Sequence, residues 1–299
     1  MRNDRLSQAR QTVSVARFLR RLLPKRFRSQ DIVVPLVRLN GAIMSSGGPL
    51  RPTLSLAAVA PLLERAFAQK DAPAVAISVN SPGGSPVQAR LIYQRIRDLA
   101  REKNKHVIVG CEDLAASGGY MIACAGDEIV ADPSSVVGSI GVVSGGFGFV
   151  DLIGKLGIER RVHTAGQNKA TLDPFRPERP EDVEHLKALQ LDVHATFIDL
   201  VKARRGTKLA DDPNLFTGLF WSGVRGLELG LVDRLGDLRT VVRERYGDKA
   251  KLGLVHQRRG LFAFRAGTPG VESGFDPGRI GAGLIEAAEE RALWARYGL

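Results

Sequence analysis

Apolar positions along the chain fall into two rhythms, short unbroken runs and longer stretches at helical spacing, and the two alternate. Ile32-Val33-Val34-Pro35-Leu36-Val37-Arg38-Leu39 is a strand-like run that Asn40-Gly41 closes. Ser55–Lys70 has the pattern of a helix, with Ser55 as a candidate cap. Ala74–Val79 then reads as a buried strand, Val87–Glu102 as a helix and His106–Cys111 as a second buried strand. Ser117–Ala125 follows as a short helix, Glu128–Ala131 as a short strand and Ile158–Thr164 as a further strand. Residues 180–205 form a long helix opened by Pro180-Glu181-Asp182, where proline and acids suit a helix start. Strands without polar alternation, separated by helices, predict an α/β fold with a largely covered sheet.

The ends of the chain differ from this body. Leu6, Ala9, Val13, Ala16, Leu19, Leu23 and Phe27 share one helical face between arginines, and Pro24 interrupts it. Such a basic amphipathic helix can lie in a membrane interface, pack on the body or a neighbouring subunit, or act as an organellar targeting segment. Its sequence leaves all three open. Residues 266–283 are rich in glycine and proline and read as a linker, followed by an amphipathic helix over Leu284–Arg296. The expected organisation is therefore a basic segment over 1–30, a main domain over 31–257, and a linker with a helix over 258–299.

Charge sharpens that division. The net charge is +11, and residues 1–30 carry nine basic side chains against one acid, Asp4. A basic arm on a nearly neutral body predicts contact with an acidic or membrane surface through the arm, and no nucleic-acid binding by the whole. With 44% apolar and 25% charged residues the 299-residue chain is globular in composition. No apolar run approaches the ~18 residues of a membrane span, and arginines interrupt any secretory signal. The expected location is cytoplasmic, or peripheral at the inner face of a membrane. Cys111 and Cys124 lie in apolar stretches and read as buried free thiols, with no metal pair.

Three glycine-rich turns stand where α/β enzymes place functional loops. Asn80-Ser81-Pro82-Gly83-Gly84-Ser85 follows a strand, and paired glycines there let backbone N–H groups face a cleft. A plain tight turn is the competing account. Ala115-Ala116-Ser117-Gly118-Gly119-Tyr120 puts a serine at a helix start between small residues. That serine is either a nucleophile with an oxyanion site beside it or an ordinary N-cap. Val137-Gly138-Ser139-Ile140-Gly141-Val142 is apolar and tight, suited to a cleft wall. None of the three has the spacing of a phosphate loop.

A nucleophilic serine needs a base. His106, His163, His185, His194 and His256 read as structural, although His163 lies near a loop. Lys169, in Gly166-Gln167-Asn168-Lys169, is the other candidate, because a lysine serves as a base where burial depresses its pKa. Taken alone, a solvated surface lysine is the commoner case.

The ordered set Ser81-Pro82-Gly83-Gly84, Ala116-Ser117-Gly118-Gly119-Tyr120, Gly138-Ser139-Ile140-Gly141-Val142 and Gly166-x-x-Lys169 resembles the signal peptide peptidase A family. This is the protease IV and SohB-like group of serine peptidases, family S49. Gly230-Leu231-Val232-Asp233 and Leu235-Gly236 resemble its closing motif, so the likeness runs over about residues 32–245. The resemblance implies a Clp protease/crotonase-type spiral of β-β-α units. It implies Ser117 as nucleophile, Lys169 as base, and the N–H groups of Gly118 and of Gly83 or Gly84 as the oxyanion hole. It further implies peptide substrates, remnant signal peptides or membrane-protein fragments, with no metal or other cofactor. Single-unit members form rings in which serine and lysine meet across a subunit boundary, so a homo-oligomer is expected.

Two departures stand out. Ala170 occupies a position where family members often carry Asp, and the transmembrane anchor of many members is replaced by the basic amphipathic segment. The competing functions are an inactive scaffold with the same fold and a crotonase-type enzyme acting on acyl-CoA, for which Glu112 and Asp113 would be the nearby carboxylates.

Overall fold

The computed structural model describes residues 31–45, 53–256, 288 and 291–299. The amphipathic segment over 6–27 and the linker over 266–283 lie outside the described residues. Among the described residues of 31–256, eight strands and seven α-helices form the body. In chain order they are β1 (Val33–Asn40), α1 (Leu56–Phe67), β2 (Ala74–Ser81), α2 (Pro86–Lys103), β3 (His106–Ala116), α3 (Gly118–Ala123), β4 (Glu128–Ala131) and β5 (Val136–Gly138). They continue with α4 (Val150–Lys155), α5 (Pro180–Arg205), β6 (Phe220–Ser222), α6 (Gly223–Glu228), β7 (Arg234–Leu235), α7 (Leu238–Tyr246) and β8 (Lys251–Leu254).

The apolar runs become the centre of the sheet. Its main path is β6-β5-β3-β2-β1-β8, parallel except for the β5–β6 pair. Strand β2 is buried along nearly its whole length, which a parallel strand covered on both faces requires. Strand β3 changes partner partway along. Ile108 to Cys111 pair with β4, and Leu114 to Ala116 pair with β5. The sheet therefore turns on itself at β3, and the architecture is the expected Clp protease/crotonase-type α/β fold.

Helix boundaries follow their local chemistry. The Ser55 hydroxyl accepts the Ala58 N–H and starts α1. Ser85 caps α2, Pro86 occupies its first turn, and Asn104 ends it in the left-handed conformation. Helix α5 starts at Pro180 with Glu181 and Asp182 and ends with Lys202, Arg204 and Arg205, matching its dipole at both ends. Helices α1, α2 and α3, with the C-terminal half of α5, cover one sheet face over a core that includes Leu63, Ile77, Ile92, Val109, Ile122, Phe197 and Val201. Helix α7 covers the other face through Val241 and Val242.

One expected element is absent. Residues 158–164 are irregular, not a strand, and Ile158 is 55% exposed. A strand needs an edge to pair with, and no strand of this chain runs beside that stretch among the described residues. The surrounding segment carries other bare apolar side chains, with Val143 65% and Phe147 81% exposed.

Candidate active site

Ser117 joins β3 to α3, at the point where the sheet turns. It stands at the N-cap position, yet its hydroxyl makes no cap hydrogen bond. Ser55, Ser85 and Ser222, by contrast, each accept a helix N–H. The backbone accounts for the difference. Ser117 adopts φ 52° and ψ −123°, a combination that only glycine takes without strain. Its N–H donates to the Gly138 carbonyl at 2.8 Å and its carbonyl accepts the Met121 N–H at 3.0 Å, which hold the strained turn in place. The hydroxyl has no hydrogen-bond partner among the described residues, and the residue is half-buried. The ordinary N-cap account of Ser117 therefore fails.

The first glycine turn presses against this serine. A Cβ on Gly83 would lie 2.7 Å from the Ser117 Cβ and 2.8 Å from the Gly118 nitrogen. A Cβ on Gly119 would lie 2.5 Å from the Ser81 carbonyl oxygen. The paired glycines on both sides are thus steric necessities of two turns in contact. Gly83 donates its N–H to Ser81 Oγ at 3.2 Å. The N–H groups of Gly84 and Gly118 have no acceptor among the described residues, and both glycines line a cleft of about 210 Å³ with Ser117. Of the three glycines expected around an oxyanion, Gly84 and Gly118 have N–H groups without an acceptor among the described residues, and Gly83 does not.

The rest of the cleft is apolar except for Arg296. Met121 of α3, Val193 and Phe197 of α5, Val142 of the third turn and Val143 just after it contribute to it. Pro86, Met121 and Val193 also border an adjoining hollow of about 510 Å³ that runs between α2 and α5 past Leu91. Val193 and Phe197 are four residues apart and so project from one face of α5, a spacing that was visible in the sequence. Leu293 and Arg296 also line the cleft, and nothing local in the sequence pointed to them.

The expected base lies elsewhere. Lys169 is exposed on the segment that follows α4, its N–H bonded to the Gly166 carbonyl at 3.2 Å, and it does not line the cleft around Ser117. None of the five histidines lines it either. His194 bonds the Ile140 carbonyl at 3.0 Å, and burial together with the Arg245 charge holds His106 below its ordinary pKa. Both are structural. Glu112 and Asp113 are likewise occupied, by Ser78 and Asn80.

The closing motif sits beneath α3. Asp233 binds the Arg205 guanidinium through two hydrogen bonds of 2.8 and 3.0 Å, accepts from Lys208, and accepts the Ile129 N–H. Arg205 also donates to the Gly230 carbonyl, and the buried Tyr120 hydroxyl donates to the Leu231 carbonyl at 2.8 Å. Burial pushes the Asp233 carboxyl up, but hydrogen bonds from Arg205, Lys208 and Ile129 outweigh it and leave it below its ordinary value. This network fixes the helix whose first residue follows the serine.

The model of peptidase family S49 matches residues 99–252, which span β3, α3 and the closing motif. The chain belongs to peptidase family S49. Relatives carry varied names. The chain is 62% identical over 286 residues to the Na(+)/H(+) antiporter NhaA of Brucella abortus (strain 2308), a match covering 94% of this chain and 39% of that protein. It is 29% identical over 213 residues to the serine protease SPPA, chloroplastic, of Arabidopsis thaliana, covering 70% of this chain and 31% of that one. It is 34% identical over 169 residues to the probable protease SohB of Buchnera aphidicola subsp. Schlechtendalia chinensis, covering 56% and 54%. The chain thus spans less than two thirds of the length of these relatives. No helix among the described residues is long and apolar enough to cross a membrane.

Proposed function

We propose that this chain hydrolyses peptide bonds, with Ser117 as nucleophile and Lys169 as general base, in a homo-oligomer whose neighbouring subunit brings the two together. The observation that carries the proposal is the Ser117 hydroxyl: strained out of capping geometry, without a partner among the described residues, and beside the N–H groups of Gly84 and Gly118, which have none there either. In this mechanism Ser117 Oγ attacks the carbonyl carbon of the scissile bond as Lys169 Nζ takes its proton. The oxyanion is held by the two N–H groups, which are fixed before reaction and need no reorganisation. Collapse expels the amine with that proton and leaves an ester on Ser117, which water then hydrolyses. No metal or organic cofactor takes part.

The exposure of Lys169 within one chain fits a base supplied across a boundary. Bare Val143, Phe147, Leu152 and Leu156 lie before Lys169 in the chain, within and on either side of α4, and an apolar surface of this kind suits a subunit contact. The apolar cleft suits apolar peptides, such as signal-peptide remnants or membrane-protein fragments. Residues 1–30 would add contact with a membrane surface.

The test is hydrolysis of a fluorogenic peptide library by the purified protein, by Ser117→Ala and by Lys169→Ala, with the oligomer monitored throughout. Both variants are expected to be inactive alone, and mixing their dissociated subunits should restore part of the activity. Activity surviving in Lys169→Ala would remove the assigned base and turn attention to His163. An inactive wild type that also fails to react with a fluorophosphonate would leave the scaffold function standing.

A further inference from the structure

The third turn, the first turn and a distant stretch of chain meet at one residue. Tyr297 is buried, and its hydroxyl lies 3.4 Å from the Pro82 carbonyl and 3.1 Å from Ser139 Oγ. Its ring stands edge-on to Phe220 at 5.0 Å. Trp294, one helical turn earlier, packs on the cluster of Leu114 and Ala116. Pro82 and Ser139 belong to the two turns that flank Ser117, so residues 291–299 are moored to the walls of the cleft. From that mooring Leu293 and Arg296 reach the cleft itself.

Arg296 is the one charged side chain among the described residues lining a cleft whose other walls are glycine, proline and apolar side chains, apart from Ser117. It forms no ion pair among the described residues, and its guanidinium carbon stands 6.0 Å from the centre of the Tyr297 ring. The segment does not seal the site, because a hollow of about 210 Å³ remains beside the half-exposed Ser117. We propose that residues 291–299 form a fixed wall of the substrate cleft, and that Arg296 selects peptides bearing a carboxylate close to an apolar residue at the cleaved bond. The inference rests on the peptidase function proposed above. A cation held at the rim of an apolar cleft discriminates by charge, while the apolar walls accept many side chains.

The test compares matched fluorogenic peptides that differ at one position flanking an apolar residue, Glu, Gln or Lys, each with a free or an amidated C-terminus. Wild-type protein is expected to favour Glu over Lys by about threefold in kcat/KM, as befits a partly exposed ion pair. Arg296→Glu should invert the order, a swing on the order of tenfold, and Arg296→Lys should keep the wild-type order. If only the free C-terminus confers the preference, the recognised carboxylate is the chain end and not a side chain. A Glu-to-Lys ratio identical in wild type and Arg296→Glu, for both kinds of carboxylate, would overturn the inference while leaving the peptidase function intact. The same peptides are to be bound to Ser117→Ala and Ser117→Ala/Arg296→Glu proteins by fluorescence anisotropy. Charge preference in binding that depends on Arg296, without hydrolysis by the wild type, would sustain the wall and sink the peptidase. Binding that is equal for Glu and Lys peptides, and equal for free and amidated C-termini, would overturn the inference.

Discussion

The strain at Ser117 has a size that a pair of substitutions can measure. Ser117→Ala keeps the Cβ and so keeps the strain of φ 52° and ψ −123°. Ser117→Gly removes both, because the mirror image of this conformation is an ordinary extended one. A non-glycine residue in such a region costs about 1–3 kcal/mol. Against that, glycine loses about 0.5–1 kcal/mol through the freedom of its unfolded chain. Loss of contact by one half-buried methyl subtracts on the order of 0.4 kcal/mol more. The balance favours Ser117→Gly over Ser117→Ala by about 1 kcal/mol, a rise in Tm of roughly 2–4 °C for a domain of this size. Denaturant midpoints and Tm of the two variants, measured in the same oligomeric state, check it without reference to activity. If Ser117→Ala proves as stable as Ser117→Gly, the turn is relaxed in solution and the argument from strain to nucleophile fails.

Other consequences follow from the packing around this turn. Gly83→Ala combines φ +98° with a Cβ only 2.7 Å from that of Ser117, so the serine must move. Fluorophosphonate labelling at Ser117 should slow on the order of 100-fold, as misplacements near 1 Å do, and an unchanged rate would refute the contact. Asp233→Asn leaves Arg205, 4% exposed, without its carboxylate, which should cost about 3 kcal/mol in denaturant unfolding. Because Asp233 titrates below its ordinary value when folded, its contribution is complete above the unfolded pKa of about 4 and is lost as pH falls below it. Thermal scans should therefore show a smaller loss of Tm between about pH 5 and pH 2 in Asp233→Asn than in wild type. Burial pushes both Cys111 and Cys124 up to about 12. Neither should react with a thiol reagent at pH 8 until the protein is unfolded, and native labelling of either would contradict its burial.

Strands β1 to β4 and helices α1, α2 and α5 were legible because each is long enough, or apolar enough, to carry its own pattern. Residues 180–205 show this well, since proline and acids mark one end of α5 and basic residues the other. Strands β5, β6 and β7 were not legible, being two or three residues long and defined only by pairing with β3, β4 or each other. The strand expected over 158–164 failed for the reverse reason. Its residues have strand character, but character is no substitute for an edge.

At the site, residue types could be read and conformation could not. Serine before two glycines is compatible with a cap and with a nucleophile, and those differ in φ, ψ and one hydrogen bond, none of which composition encodes. The glycines carried more than the serine did. Gly83 and Gly119 are needed because two turns touch, and contact between turns more than thirty residues apart is a statement about the fold. The closing motif works the same way: Asp233 supports the cleft by holding Arg205, which with Tyr120 secures the carbonyls of Gly230 and Leu231 beneath α3. Tyr297 extends this logic to a part of the chain with no motif at all. Its partners, Pro82 and Ser139, lie inside recognisable turns, yet nothing within those turns announces a tyrosine 158 residues beyond Ser139. A motif reports what a segment needs from its own neighbours in sequence, and the wall of a cleft is built by neighbours in space.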